Sequence, residues 1–199
     1  MEIKMPEFKN ISKKYGDNTV LNDFSLVLTK NSPTVIMGES GCGKTTLLRI
    51  AAGLERADSG EFDRGGENVA YMFQESRLLP WKTALDNVCA VLKKEQRPLA
   101  EKYLSLVGLD VEIDGKKIPS ELSGGMRQRV AFARFLAYAE ATNSGILLLD
   151  EPFSALDDAT AEKMASLLIE AAKDKYLLTV THDEADATRL GAKIIYLKQ

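Results

Sequence analysis

The sequence predicts an α/β fold in which a parallel β-sheet carries helices on both faces, together with a β-rich N-terminal third and a helical subdomain. Apolar, strand-like runs such as "TVIMG", "ILLLD" and "YLLTVTH" alternate with helical segments along most of the 199 residues. This alternation is typical of parallel sheets joined by crossover helices. A helical block at about 76–139 interrupts it, which indicates a subdomain within one domain that spans residues 1–199.

The first third of the chain is predicted to be mostly β-structure. "EFKNISKKY" and "VLNDFSLVL" show partial alternation, and the turn-forming cluster "GDNT" separates them. "TVIMG" follows as a buried strand, and "KTTLLRIAAGL" as a helix that closes near Gly53. Residues 54–68 are polar and rich in glycine, so we expect turns and short edge strands there.

The later elements follow from hydrophobic spacing and from helix-end signals. "VAYMF" predicts a strand, and apolar residues recur at helical spacing after Thr83, which we expect to be an N-cap. Pro98 should open the next helix and Gly108 should close it. A long, mostly buried helix is predicted from Gly125 onward, followed by a strand ("ILLLD"), an amphipathic helix ("TAEKMASLLIEAAK") and another strand ("YLLTVTH").

Composition argues against several classes of protein. A net charge of −3 gives no overall attraction to nucleic acid, so we expect no nucleic-acid partner. Apolar runs such as "ILLL" are far shorter than the roughly 20 residues needed to cross a bilayer, so we expect a cytosolic chain without a membrane segment. Two cysteines and one histidine support neither a disulfide framework nor a zinc cluster. Any metal should therefore be bound by oxygen.

The stretch "GESGCGKTT" lies between an apolar strand and a helix, which is the arrangement of a phosphate-binding P-loop. Its glycines permit a tight loop whose backbone N–H groups surround phosphates. Lys44 would reach the β- and γ-phosphates, and Thr45 would ligate Mg²⁺ through its hydroxyl. A chance glycine-rich turn is the alternative. The predicted loop comprises Gly38, Glu39, Ser40, Gly41, Cys42, Gly43, Lys44, Thr45 and Thr46.

Polar side chains follow three other apolar runs. "ILLLDEP" delivers Asp150 to the carboxyl end of a strand, where ligands collect in parallel sheets, so we expect it to hold Mg²⁺. Glu151 should point elsewhere along an extended chain and act as general base for an attacking water. Gln74 can offer an amide oxygen to Mg²⁺ or the water, and His182 can donate to a γ-phosphate. A solvated acidic pair and ordinary surface or structural residues are the alternatives.

The stretch "ELSGGMRQRV" offers a second set of backbone amides at a predicted helix N-terminus. One ATP has one triphosphate, and the P-loop already surrounds much of it. Ser123, Gly124 and Gly125 are therefore predicted to cover a nucleotide that another copy of the chain binds, in a two-fold dimer. A simple N-cap at Ser123, with glycines for close packing, is the alternative.

Six features occur in the order found in the nucleotide-binding subunits of ABC transporters: "GESGCGKTT", Gln74, "LSGGMRQ", "ILLLDEP", "SALD" and His182. The chain resembles these subunits over nearly its whole length. The resemblance implies a P-loop NTPase (ABC ATPase) fold with a RecA-like core and a homodimer that closes on ATP and Mg²⁺. The segment between Gly53 and Val69 is abbreviated relative to the family, so we expect the antiparallel β part to be small. It also implies that Ser123 and Gly125 contact the γ-phosphate of the opposite subunit, that Asp157 couples the two sites, and that Tyr15 stacks on adenine.

The stretch "QESRLLPWKTALDNV" is similar to the ATPase subunits of bacterial nitrate, sulfonate and taurine importers. In those subunits this region forms a groove that receives a short permease helix. The resemblance implies that Leu79, Pro80 and Trp81 line or support the groove. A place in the core of the helical subdomain is the alternative for these residues.

The resemblance implies an ATPase that drives transport of a small solute through a separate membrane permease, with import favoured over export. At the level of the complex it implies an extracytoplasmic substrate-binding protein and a position on the inner face of the membrane. The chain stops soon after His182, so we expect no C-terminal regulatory domain. The alternatives are a soluble ABC-type ATPase that acts on nucleic acid or ribosomes, and a nucleotide-dependent regulator without turnover.

Overall fold

The computed structural model describes residues 4–197, which form two compact units. The first unit contains the chain up to Tyr71, the segment Gly145–Glu151 and the chain from Ala172 onward. The second unit contains Met72–Ser144 and Pro152–Ala171. Most of the strands belong to the first unit and most of the helices to the second.

The strands, in chain order, are β1 (Glu7–Tyr15), β2 (Asn18–Val27), β3 (Thr34–Met37), β4 (Ser59–Asp63), β5 (Val69–Met72), β6 (Ile146–Asp150), β7 (Tyr176–Val180) and β8 (Lys193–Tyr196). The α-helices are α1 (Lys44–Ala52), α2 (Ala84–Cys89), α3 (Arg97–Leu106), α4 (Gly124–Ala141), α5 (Asp158–Ala171) and α6 (Glu184–Arg189). Short 3₁₀ turns occupy Lys94–Gln96, Asp114–Lys116 and Pro119–Glu121.

The central sheet has the strand order β5-β6-β7-β3-β8. β7 pairs in parallel with β6 on one side and with β3 on the other, and β3 also pairs in parallel with β8. Every residue of β3, β6 and β7 is buried, as expected for unbroken apolar runs in a parallel sheet. Helix α1 contacts β6 and β7. This sheet places the carboxyl ends of β3, β6 and β7 side by side.

A second, antiparallel sheet has the order β2-β1-β4. Phe8 on β1 is fully buried, and its ring lies 5.7 Å from that of Phe24 and 4.4 Å from that of Phe62. The predicted combination of a parallel sheet, a small antiparallel β part and helices is therefore confirmed. The segment 54–68 contains one strand, β4, flanked by turns.

The second unit is built from helices whose ends match the predicted signals. Thr83 caps α2 by accepting a hydrogen bond from the backbone N–H of Asp86 at 3.1 Å. Pro98 lies in the first turn of α3, and Gly108 follows this helix with a φ of 76°. Three aromatic rings, those of Phe132, Phe135 and Phe153, pack together in the core of this unit. Within residues 4–197, the helices lack the length and hydrophobicity that crossing a bilayer would require.

A buried asparagine fixes the loop that precedes α2. Asn87 is fully buried, and its side-chain oxygen accepts a hydrogen bond from the backbone N–H of Leu79 at 2.7 Å. Its amide nitrogen donates to the carbonyl oxygens of Leu79, Lys82 and Thr83 at 3.0–3.2 Å. The loop consequently presents Trp81 with 74% of its surface exposed, so this residue is not part of the helical core.

Candidate functional site

Helix α1 begins at the P-loop, and its first turn leaves backbone N–H groups without partners inside the helix. Gly43 adopts a φ of 102° at the helix N-cap, and a Cβ there would lie 2.5 Å from the carbonyl oxygen of Val20. Gly41 has a φ of 83° and faces open space. Only glycine fits at Gly43, and the N–H groups at the start of α1 are of the kind that bind an anion at a helix N-terminus.

The side chain of Lys44 lies across the P-loop. Its ammonium group donates hydrogen bonds to the carbonyl oxygens of Gly38 at 2.7 Å and Glu39 at 2.9 Å. Cys42, whose Sγ lies 3.9 Å from the ammonium nitrogen, is buried. The loop carbonyls thus hold the lysine charge next to the helix N-terminus, where it adds to the attraction for phosphate.

Asp150 lies at the carboxyl end of β6 and is 2% exposed. One carboxylate oxygen accepts a hydrogen bond from the Thr45 hydroxyl at 3.1 Å, and the other accepts one from the Tyr71 hydroxyl at 3.3 Å. Burial raises the pKa of Asp150, and burial together with the charge of Asp150 raises the pKa of Tyr71. The structure therefore brings Asp150 and Thr45, the two predicted oxygen ligands of Mg²⁺, together beside the P-loop helix.

Glu151 follows directly but is not in the extended conformation that the sequence analysis predicts. Its φ is 48°, and its backbone N–H donates to the carbonyl oxygen of Val180 at 3.0 Å. This left-handed turn continues the contact with β7 beyond the end of β6. Oε1 lies 2.9 Å from Nδ1 of His182, and Oε2 accepts a hydrogen bond from the Thr181 hydroxyl at 3.2 Å. The structure therefore pairs the two residues predicted to act on the attacking water and the γ-phosphate.

We expect the protonation of His182 to report this pairing directly, because it is the only histidine in the chain. Its hydrogen bond to Glu151, and then the negative charge of that residue, raise the pKa of His182 above 6.5. The folded state thus binds this proton more tightly than the unfolded chain. The resulting stabilisation is complete below the unfolded pKa and is lost as the pH rises through the folded value.

The measurement is an NMR pH titration of the imidazole nitrogens, with a midpoint expected above 6.5. Glu151→Gln removes the carboxylate charge and should return the midpoint toward 6.5. A parent midpoint at or below that value would contradict the pairing.

Tyr15 ends β1 and is 48% exposed. The ammonium nitrogen of Lys13 lies 5.4 Å from the centre of its ring and also bonds to Glu55 and Asp58. A cation–π contact with Lys13 therefore helps to hold the Tyr15 ring in place. The stacking of Tyr15 on adenine stays a prediction.

The second unit carries the predicted residues of the "LSGGMRQ" segment. Ser123 caps α4 by accepting a hydrogen bond from the backbone N–H of Met126 at 3.1 Å, and both Ser123 and Gly124 are exposed. A Cβ at Gly125 would lie 3.4 Å from the carbonyl oxygen of Ala155. The two features of the alternative interpretation, an N-cap at Ser123 and close packing at the glycines, are therefore both present. They leave the serine hydroxyl hydrogen available to a phosphate, because the cap uses only its oxygen.

Two further predicted residues also lie in the second unit. Asp157 is exposed, and its carboxylate accepts hydrogen bonds from the backbone N–H and the hydroxyl of Thr160, which lower the pKa of Asp157. Gln74 is exposed and lies two residues beyond the end of β5. His182 similarly lies two residues beyond β7. The roles of all these side chains stay predictions.

Four residues near these features were not predicted as parts of a site. Tyr71 and Thr181 contact Asp150 and Glu151 as described above, and Asp186 bonds to Thr181. Gln128, a buried polar residue of α4, donates to the carbonyl oxygen of Pro152 at 3.2 Å. The only sequence signal that could have indicated such residues is a polar residue inside or just after an apolar run. This signal does not show which side chain the polar residue contacts.

Comparison with known families and structures gives consistent matches. The family model described as ABC transporter matches residues 21–154. The dimeric structure of MJ0796, a bacterial ABC transporter cassette, has a TM-score of 0.85 at 32% identity and covers 98% of this chain and 94% of that one. A dimeric post-hydrolysis state of the same cassette, bound to ADP and Pi, gives a TM-score of 0.83 at the same identity and coverage.

Several curated relatives are named as ATP-binding proteins of aliphatic sulfonate import. SsuB 2 of Xanthomonas axonopodis pv. citri is 43% identical over 96% of this chain and 66% of its own length. SsuB of Escherichia coli K12 is 38% identical over 95% of this chain and 75% of its own length. The chain spans only 57% of another, SsuB 1 of Paraburkholderia xenovorans, at 40% identity. The resemblance found in the sequence is confirmed, and the chain belongs to the ABC transporter family.

Proposed function

We propose that this chain is the ATP-hydrolysing subunit of an ABC importer, and that its two compact units form a single nucleotide-binding domain. The observation that carries the proposal is the grouping at the carboxyl end of the central sheet. There Thr45 of the P-loop helix bonds to Asp150, and the next residue, Glu151, pairs with His182. A phosphate-binding helix N-terminus beside two differently placed carboxylates fits phosphoryl transfer to water.

The residues around Asp150 suit Mg²⁺. Hydroxyl and carboxylate oxygens are the ligands that this ion prefers, and it is usually held by one or two carboxylates together with substrate phosphates. The Thr45 hydroxyl oxygen lies 3.1 Å from a carboxylate oxygen of Asp150, and these two oxygens would hold the ion. Gln74 enters as a third ligand through the sequence resemblance alone. When bound, the ion neutralises negative charge on the phosphates.

The protein side chains supply the remaining chemistry. The P-loop N–H groups and Lys44 bind the β- and γ-phosphates of ATP, which releases the lysine from its contacts with Gly38 and Glu39. Glu151 takes a proton from water as the water oxygen attacks the γ-phosphorus, and the bond to the β-phosphate oxygen breaks to leave ADP. His182 donates from Nε2 to a γ-phosphate oxygen, because Nδ1 faces Glu151.

The working form in this proposal is a homodimer on two ATP molecules. The exposed N-terminus of α4, with Ser123, Gly124 and Gly125, covers the γ-phosphate bound by the other copy. The dimeric structures of MJ0796 support this arrangement by analogy. Tyr15 as the adenine contact and Asp157 as the coupling residue complete the proposed site on the strength of the resemblance.

Import through a permease is supported by the loop at Leu79–Trp81 and by the relatives. Asn87 holds the loop backbone in place, and Trp81 presents a large apolar surface to solvent. Exposed aromatic side chains are typical anchors of protein interfaces. The names of the relatives make aliphatic sulfonates the first substrates to test. An extracytoplasmic binding protein that delivers them, and the position of this chain on the inner membrane face, rest on the sequence resemblance alone. None of the relatives described above is named for nucleic acid or ribosomes, so the soluble alternative is not favoured.

Replacing Trp81 with alanine should abolish most of the stimulation of ATP hydrolysis by the permease. Truncation of a central aromatic anchor typically costs about 2 kcal/mol or more, which corresponds to a roughly thirtyfold weaker association. The measurement is phosphate release with increasing amounts of reconstituted permease. Ile169→Ala, which alters another exposed apolar residue of the same unit, is the matched control. Equal permease stimulation of both variants would rule out Trp81 as a contact.

A further inference from the structure

The hydroxyl group of Thr181 is the centre of a buried network that none of the proposed roles uses. Thr181 is fully buried between the end of β7 and the start of α6. Its oxygen lies 2.8 Å from Oδ2 of Asp186 and 3.2 Å from Oε2 of Glu151. It also accepts a hydrogen bond from the backbone N–H of Asp183 at 3.1 Å. Three groups thus converge on one hydroxyl oxygen.

A threonine hydroxyl has a single hydrogen to donate. Here that hydrogen is shared between two carboxylates, and the contact with Asp186 is the shorter one. The third group, the backbone N–H of Asp183, donates a hydrogen bond to the same oxygen. The threonine side chain is also restricted at χ1, so the rotamer and these three contacts together hold its oxygen in one position.

Asp186 is itself anchored. It is 4% exposed, and its other carboxylate oxygen accepts a hydrogen bond from Arg189, one turn later in α6, at 2.9 Å. The Arg189 side chain is only 14% exposed, which strengthens its attraction for the carboxylate. Burial raises the pKa of Asp186, and the hydrogen bonds from Thr181 and Arg189 act against that shift.

We propose that Asp186 and Arg189 are positioning residues for Glu151, acting through the Thr181 hydroxyl. This inference rests on the proposed role of Glu151 as general base. The chain of contacts runs from α6 through Thr181 to one oxygen of the Glu151 carboxylate, while His182 engages the other oxygen. With both oxygens held, the carboxylate plane is fixed relative to the carboxyl end of the sheet.

The consequence for the reaction is a requirement on geometry. Glu151 lies in a left-handed turn, and its contacts with Thr181 and His182 hold the direction of its side chain. A general base must lie within hydrogen-bonding reach of the water it activates, and a misplacement of about 1 Å can lower the rate on the order of a hundredfold. Loosening the network should therefore slow the chemical step and leave ATP binding unchanged.

The first test compares two hydroxyl deletions in neighbouring positions. Thr181→Val in the full chain should lower kcat for ATP about tenfold, with KM and nucleotide affinity unchanged. Thr181→Ser retains the hydroxyl and should restore most of the rate. Thr179→Val is the matched control, because Thr179 is also fully buried but its hydroxyl has no hydrogen-bond partner within residues 4–197. Equal kcat values for Thr181→Val and Thr179→Val would overturn the inference.

The second test asks whether Asp186 acts through Thr181. Asp186→Asn should lower kcat severalfold, and the double variant with Thr181→Val should be no slower than Thr181→Val alone, since residues in one network are non-additive. If the fold-loss in kcat of the double variant equals the product of the two single losses, Asp186 does not act through Thr181. If Asp186→Asn lowers the melting temperature too far, Arg189→Gln replaces it in the same cycle, because Arg189 lies at the outer end of the network.

Glu151→Gln distinguishes a failure of the proposed general base from a failure of the positioning role. If this variant hydrolyses ATP at the parental rate, the proposed general base is wrong and the positioning role falls with it. If Glu151→Gln is inactive but Thr181→Val and Asp186→Asn keep the parental kcat, only the positioning role is wrong.

Discussion

Glu151→Gln should reduce ATP hydrolysis about a hundredfold or more while leaving ATP binding intact. Glutamine has nearly the shape of glutamate, so the left-handed turn and the hydrogen bond from Thr181 can persist. Its amide cannot take a proton from water, and the general-base contribution disappears. The measurement is steady-state phosphate release with Mg²⁺, and chelation of Mg²⁺ should abolish the parental rate. Glu61→Gln, an exposed carboxylate on β4, is the matched control.

The same variant should also accumulate as an ATP-bound dimer. If closure requires ATP in both sites and opening requires hydrolysis, blocking the chemical step leaves the closed form with no route to open. Size-exclusion chromatography with ATP should then show a dimer for Glu151→Gln and mostly monomer for the parent. A variant that stays monomeric at saturating ATP would argue against closure on two nucleotides.

The strands and helices that matter for this site could be predicted because their signals are local. "ILLLD" and "TVIMG" are too apolar to tolerate solvent on either face, so they become inner strands of the parallel sheet. Thr83 and Pro98 mark helix starts through hydrogen bonds and backbone angles set within a few residues. The P-loop could be predicted for the same reason, because its glycines are required by backbone angles within the loop itself.

The contacts between functional side chains could not be predicted in the same way. That Tyr71 reaches Asp150, or that Thr181 lies between Glu151 and Asp186, depends on the lateral order of strands and on how α6 leaves β7. The sequence also gives no sign that Glu151 turns left-handed, because that conformation is sustained by its bond to Val180 on the neighbouring strand. Tertiary pairing decides these features.

The proposed dimeric arrangement predicts that two inactive variants restore activity when mixed. Ser123→Asp keeps a good N-cap for α4 and suits the helix dipole, so the fold should be unaffected. Its negative charge would repel a γ-phosphate held by the opposite chain, and we expect hydrolysis to fall about a hundredfold. Ser123→Asn keeps the cap without the charge and is the matched control.

When equal amounts of Ser123→Asp and Glu151→Gln are mixed as monomers before ATP is added, about half of the dimers that form first combine the two chains, by the statistics of a two-fold assembly. In each mixed dimer, one site joins an intact P-loop and general base from the first chain with an intact Ser123 from the second. About a quarter of the parental sites should therefore be active, although neither variant is active alone. If Ser123 served the nucleotide of its own chain, every site would keep one defect and the mixture would stay inactive. Phosphate release measured across mixing ratios, with a maximum near equal amounts, distinguishes the two geometries.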